Sequence, residues 1–197
     1  LFRILQRHYQ AFLDVIKWQL TSRAEFERLL AVDPDTLTDL ERAARFLYLQ
    51  RTTFGGTVSG RNFGVSRTAS ARFDLTKLVP MLEDVHERLA RVVIERLPYG
   101  DFIDRYDTPG ALFYLDPPYW NCEKDYGPGV FERADFERLA HQLGKIAGRF
   151  VLSINDTSGT REVFADFNIA VVPNRYSMAV KSTGTAKHVT ELIVSNV

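Results

Sequence analysis

Cysteine is almost missing from this sequence: Cys122 is the only one. A lone thiol cannot close an internal disulfide, so the fold must hold by packing, and a reducing, cytoplasmic compartment is expected. Net charge is missing too. The 25 Lys and Arg residues offset 25 Asp and Glu residues, so the total argues neither for nor against a polyanionic partner, and only the distribution of charge can. No apolar run approaches a membrane span, and no signal peptide opens the chain. His86 and His141 lie in amphipathic stretches without ligand-spaced partners, so no metal site is expected. Internal repeats and low-complexity tracts are absent. What is present is an ordinary globular composition, 45% hydrophobic with 14 Phe and 8 Tyr over 197 residues. That suits one domain or one and a half, with a packed core and aromatic rings available for stacking.

Along the chain, Leu5, Tyr9, Phe12, Leu13, Ile16 and Leu20 fall at helical spacing. A helix that opens at the first residue with no cap before it is expected of a chain cut from something larger. Ser22 with Glu25, and Thr38 with Glu41, fit the capping-box spacing and start two more helices. Residues 52–73, "TTFGGTVSGRNFGVSRTASARF", carry four glycines and Arg61, Arg67 and Arg72, with Arg51 just before and no acid. This segment reads as a loop or ragged hairpin. "LVPMLEDVHERLARV" resumes a helix, with Pro80 expected in its first turn.

The rhythm then changes. "VVIER", "ALFYLD", "RFVLSIN" and "NIAVVPN" read as strands. "DFIDRYD", "DFERLAHQLGKIA" and "SGTREVFADF" read as helices. Alternation of this kind predicts a parallel sheet covered on both faces. "YSMAV" and "ELIVSNV" flank a polar "KSTGTAKHVT", so an antiparallel hairpin should end the sheet. The expected organisation is a terminal helix over 1–20, a mainly helical segment over 21–92, and an α/β part over 93–197.

The stretch with the most chemistry is "FYLDPPYW", residues 113–120. A strand ends on Asp116, at the carboxyl end where open α/β sheets place their ligands. Pro117 and Pro118 fix the next turn and remove two backbone donors, leaving the Asp116 and Pro117 carbonyls as acceptors. Such a site is poor for an anion and good for an amino group with two hydrogens to donate. Tyr119 can stack on a planar ring. An exocyclic amine on a nucleic-acid base meets all three features. Two acceptors on its hydrogens favour sp³ geometry at nitrogen and free the lone pair, an interaction that strengthens as charge develops. In a duplex the base would first have to be flipped out.

"LFYLDPPYW" resembles the DPPY motif of amino-methyltransferases acting on DNA. With "LTDLERAARFLYLQRTTFGG", "YGDFID" and "VLSIND" in order, the chain resembles the Dam-type (D12 class) N6-adenine methyltransferases over nearly its whole length. The resemblance implies a Rossmann-like methyltransferase sheet with an inserted helical DNA-recognition segment at 21–92, between the end of an N-terminal catalytic part at 1–20 and the DPPY half of the catalytic domain at 93–197. It implies S-adenosylmethionine as cofactor and double-stranded DNA as partner. It implies Asp116, Pro117, Pro118 and Tyr119 as the catalytic motif, with Asp101 and Phe102, beside Asp116, near the cofactor's adenine. DNA contacts would come from Arg51, Arg61, Asn62, Arg67 and Arg72, with Arg61 and Asn62 favoured at the base and Arg67 and Arg72 at phosphate. A departure is that the family's Gly-rich cofactor loop is missing; it would lie before Leu1. N4-cytosine or another amine as methyl acceptor, a non-catalytic DNA-binding remnant, and a companion restriction endonuclease stay open at this point.

Overall fold

A computed structural model describes residues 1–56, 61–65, 70–127, 129–176 and 187–197. The chain forms two compact units, Leu1–Glu95 and Arg96–Val197.

The first unit is helical: α1 (Phe2–Arg7), α2 (Tyr9–Ile16), α3 (Arg23–Ala31), α4 (Asp39–Thr52) and α5 (Leu75–Leu89). The single helix expected at the start is two, because His8 leaves helical geometry at φ −135°, ψ 35°. Its N–H still bonds to the Ile4 carbonyl at 2.7 Å, so the chain turns without losing that donor. Both α1 and α2 pack within this unit, against α4 and α5. Thr38 and Glu41 make the full reciprocal capping box of α4. At α3 only half of it forms: Ser22 accepts from the Glu25 N–H, but the Glu25 carboxylate goes to Gln19 and Arg28 instead. α5 begins earlier than expected, because Asp74 caps it through the Thr76 N–H. Pro80 therefore lies inside the helix rather than in its first turn.

Phe12, Phe26, Tyr48 and Leu49 are fully or almost fully buried at the centre of this unit, each worth about 1.5–3 kcal/mol by area. The Tyr48 hydroxyl sits 3.0 Å from the Leu20 carbonyl and 3.2 Å from that of Ser22, which meets its need for a partner. After α4 the chain makes one antiparallel bridge, Thr53 with Phe63. Phe54 N–H donates to Asn62 O and Gly64 N–H to Thr52 O, both at 2.7 Å. A Cβ on Gly64 would lie 3.0 Å from the Phe54 backbone, so this close approach needs glycine.

The second unit is α/β: α6 (Tyr99–Tyr106), β1 (Leu112–Leu115), α7 (Arg133–Leu143), β2 (Arg149–Asn155), α8 (Ser158–Val163), β3 (Asn168–Tyr176) and β4 (Lys187–Ser195). "VVIER" is not a strand: Val92, Val93 and Ile94 are exposed, and no described strand pairs with them. The sheet order is β1-β2-β4-β3. β1 and β2 are parallel, while β4 runs antiparallel to both β2 and β3. The hairpin expected at the end exists, but its first arm is "NIAVVPNRY" rather than "YSMAV", most of which lies outside the described residues. The sheet is thus mixed: a parallel β1–β2 pair continued by the antiparallel β4–β3 hairpin.

Its period-two alternation shows which face is covered. Phe113, Phe150, Leu152, Ile154, Leu192 and Val194 are buried with Ile103, Phe136, Leu139 and Phe164 from the helical layer. On the opposite face Leu112 and Tyr114 are 63% and 70% exposed. Among the described residues, this unit's helices lie on the face of Phe113 and Phe150; the expectation of helices on both faces is met there on one.

Candidate active site

β1 ends at Leu115 and hands the chain to Asp116, beyond the register pair Leu115–Leu152. The turn that follows is held from below by the neighbouring strands. Ser153 of β2 donates to Asp116 Oδ1 at 3.0 Å. Two residues along the same strand, Asn155 grips Trp120 at both backbone groups: Trp120 N–H donates to Asn155 Oδ1 at 2.8 Å, and Asn155 Nδ2 donates to the Trp120 carbonyl at 3.1 Å. The Tyr119 hydroxyl donates to Glu191 Oε1 of β4 at 2.9 Å, and Asn174 Nδ2 of β3 donates to the same oxygen at 2.8 Å. Ser153, Asn155 and Glu191 share one sheet face by their register. The strand period of two is what lets residues 153 and 155 grip successive points of one turn.

The turn closes with the Cys122 N–H on the Tyr119 carbonyl at 2.7 Å. Asn121 has φ +71°, the left-handed conformation that a type II turn requires at its third residue and that Asn tolerates. Trp120 is half-buried, packed on Phe136 with ring centroids 5.0 Å apart, and the Arg133 guanidinium lies 3.8 Å from its ring centre. Among the described residues, no backbone hydrogen bond reaches the carbonyls of Asp116 or Pro117. Asp116 itself is exposed.

Asp116, Pro117 and Pro118 form the lip of a cleft of about 820 Å³, whose walls include Tyr99, Phe102, Tyr114, Phe131 and Arg138. That is the size of a site for a nucleoside-like molecule, and four aromatic rings, Tyr99, Phe102, Tyr114 and Phe131, are among its walls. Behind them, Asp135 accepts from the Tyr99 hydroxyl at 3.0 Å, from the Glu132 N–H at 2.7 Å and from Arg138 at 2.6 Å. Burial opposes ionisation of Asp135, but these donors, Arg138 foremost, outweigh it and hold its carboxyl below the ordinary Asp range. Burial, and next the Asp135 carboxylate, push the Tyr99 phenol up.

The structure brings Phe102 to the same cleft as Asp116, Pro117 and Pro118. Asp101 is exposed and is not among the cleft-lining residues. It is not the N-cap of α6 either: Pro98 holds that position, and Asp101 is in the first turn. Tyr119 leaves the cleft lining for Glu191. In the helical unit, Arg51 and Arg61 are half-buried, and the Nε atoms of both are buried without a hydrogen-bond partner among the described residues. Burial, with Arg45 as a like-charged neighbour, lowers the affinity of Arg61 for its proton. Asn62 and Arg72 are exposed; Arg67 lies outside the described residues. Among the described residues no three His, Cys, Asp or Glu side chains group to hold a metal ion, and no helix is long and apolar enough to cross a membrane.

Sequence reasoning missed Tyr114, Ser153, Asn155, Glu191 and Arg45. A signal existed for two of them: Ser153 and Asn155 are polar residues spaced by two after the apolar run 150–152.

Comparison with known proteins bears on this geometry. The chain is 22% identical over 190 residues to the type II methyltransferase M.CviBI of Paramecium bursaria Chlorella virus NC1A, covering 95% of this chain and 72% of that protein. It is 28% identical over 174 residues to the type II methyltransferase M1.LlaDCHI of Lactococcus lactis subsp. cremoris, covering 82% of this chain and 61% of that protein. A family model matches residues 4–178, which include the Asp116 turn, the cleft and the strand that clamps them. By that match the chain belongs to the D12 class N6 adenine-specific DNA methyltransferases.

Proposed function

We propose that this chain carries the methyl-acceptor half of a DNA adenine-N6 methyltransferase site. The observation that supports it best is the state of Asp116: one carboxylate oxygen is held by Ser153, while Oδ2 and the Pro117 carbonyl accept nothing from the described residues. Two acceptors on consecutive residues, neither taking a donor from the described residues, suit an amine bearing two hydrogens. Adenine N6 is such an amine, exocyclic on a flat ring, and it is reachable only when the base leaves the duplex.

Asp116 Oδ2 and the Pro117 carbonyl would each take one N6 hydrogen. The lone pair is then directed away from both acceptors, and these bonds strengthen as the nitrogen becomes positive. As the N6–carbon bond formed, the methyl–sulfur bond of the donor would break, and the cationic N6 would then give up one proton to solvent, which reaches this exposed turn. Tyr119 would supply the ring face for stacking, at an angle set by Glu191.

The aromatic cleft fits the adenosine portion of S-adenosylmethionine, with Phe102, Tyr99 and Phe131 as the walls that would hold it. When bound, that cofactor supplies an electrophilic methyl group on a sulfonium sulfur. Arg51, Arg61, Asn62, Arg67 and Arg72 would meet double-stranded DNA, since residues 42–73 hold six arginines and no acid. The deciding experiment is nucleoside mass spectrometry of duplex DNA treated with the full-length protein and S-adenosylmethionine. N6-methyladenine is the expected product; N4-methylcytosine, or no methylated base, would overturn the reading.

A further inference from the structure

Ser153 stands out as a hydroxyl inside an apolar strand, and only 8% of it is exposed. A buried hydroxyl needs partners. Ser153 has two, Asp116 Oδ1 at 3.0 Å and the Tyr114 hydroxyl at 3.4 Å. Tyr114 pairs with Val151 in register, so its long side chain reaches Ser153 along the diagonal of the same face. Proton counting sets the direction of this chain. An ionised carboxylate only accepts, so the single Ser153 proton goes to Asp116, and the Tyr114 hydroxyl donates to Ser153 Oγ.

We infer that Ser153 is a positioning residue for the Asp116 carboxylate, oriented in turn by Tyr114. The inference rests on the function proposed above and specifies how that site is preorganised. Asp116 is exposed, on a turn just past the end of its strand. Without a tether its carboxylate would rotate freely and meet the amine with either oxygen, or neither. The Ser153 bond occupies Oδ1, fixes the carboxylate plane and leaves Oδ2 as the acceptor on the open side. Pro117 cannot rotate about φ, and Pro118 after it confines Pro117 ψ to the extended range, so the second acceptor is already restrained. Ser153 makes the pair rigid. Positioning of this kind speeds the chemical step without tightening substrate binding.

The test compares Ser153→Thr, Ser153→Val and Ser153→Ala in the full-length protein by steady-state and single-turnover methyl transfer. Thr and Val have the same shape and differ in the hydroxyl alone. Ser153→Thr should keep kcat within about twofold, while Ser153→Val and Ser153→Ala lose on the order of tenfold, the cost of about one hydrogen bond. KM for DNA should not move, and melting temperatures of the Thr and Val variants should match. Tyr114→Phe should lose about twofold to threefold in kcat by the same route. Thr and Val variants that lose turnover together overturn the inference by assigning the effect to packing. So do Val and Ala variants as fast as the unsubstituted enzyme. An unsubstituted protein that methylates no base sinks the functional reading and this inference with it, a result distinct from a wild-type enzyme indifferent to Ser153.

Discussion

Gly159 lies in the first turn of α8, against the indole of Trp120. A Cβ there would fall inside contact distance of Trp120 Cζ2 and Cε2 and 2.8 Å from Cη2. Two effects of Gly159→Ala oppose each other. Alanine in place of glycine favours a helix by up to about 1 kcal/mol. Overpacking costs about 1–3 kcal/mol where neighbours can give way, and Trp120 cannot do so cheaply. Its backbone is gripped at two points by Asn155, and its ring is packed on Phe136 beneath Arg133. Moving it sacrifices one or both Asn155 bonds, at about 1 kcal/mol each. The clash therefore wins, with a net loss of about 2–3 kcal/mol, which lowers the melting temperature by on the order of 10 °C in a unit of this size. Trp18 is 82% exposed, so in these 197 residues a Trp18→Phe background leaves Trp120 as the indole that fluorescence reports. The expected result is a red-shifted emission, a lower melting temperature and impaired methyl transfer, because Tyr119 and Asp116 belong to the same turn. A raised melting temperature with unchanged emission would mean that helix propensity prevails and that the indole does not abut α8.

Asp116→Ala in the full-length enzyme should keep DNA affinity and lose about 10²–10³-fold in turnover, read by methyl incorporation; near-normal turnover would refute the acceptor role. Tyr119→Phe should cost about 1 kcal/mol, because the Glu191 bond that sets the ring angle is lost, whereas Tyr119→Ala should cost about 1–3 kcal/mol more as stacking disappears; base-flipping fluorescence with 2-aminopurine separates the two, and equal losses would deny the ring a stacking role. Asp135 has a depressed folded-state pKa, so its stabilising contribution is complete above the ordinary Asp value near 4 and is lost as pH falls below it; Asp135→Asn should flatten the acid limb of the melting-temperature profile, and an unchanged profile would remove Asp135 from the account. Arg72→Ala should lower the slope of log affinity against log salt by about one if it meets phosphate, and Arg61→Ala should relax specificity at one position by about 1–3 kcal/mol if it meets a base, measured on cognate and scrambled duplexes; slope and affinity unmoved by both would exclude this segment as the DNA contact.

Much of the fold could be read from local pattern, and much of the site could not. The α4 capping box, the α7 stripe of Phe136, Leu139 and Leu143, and the strands "LFYL" and "RFVLSIN" are signals within a few residues of one another. "VVIER" misled because β-branched residues mark a strand only where a neighbour exists to pair with. Pro80 misled because the true cap, Asp74, lay one turn upstream of the apolar stripe. The Asp116 turn was legible as a chemical motif from residues 116–119 alone. Its supports were not: Ser153, Asn155 and Glu191 are between 35 and 72 residues from their partners, and only the sheet order brings them under the turn. The side on which Tyr119 sits was hidden for the same reason.

The position of β4 has a temporal side. It is the last of the described strands in sequence but lies inside the sheet, between β2 and β3. During synthesis, β1, β2 and α7 can dock as they emerge, and Ser153 can meet Asp116 at once. Glu191 arrives later, so the Tyr119 ring is the last part of the turn to be set. Until residues 187–195 leave the ribosome, β2 shows an open, apolar edge, the kind of surface that chaperones bind and that pairs wrongly with other chains. A nascent chain released before that point would hold its carboxylate but leave its aromatic ring unanchored.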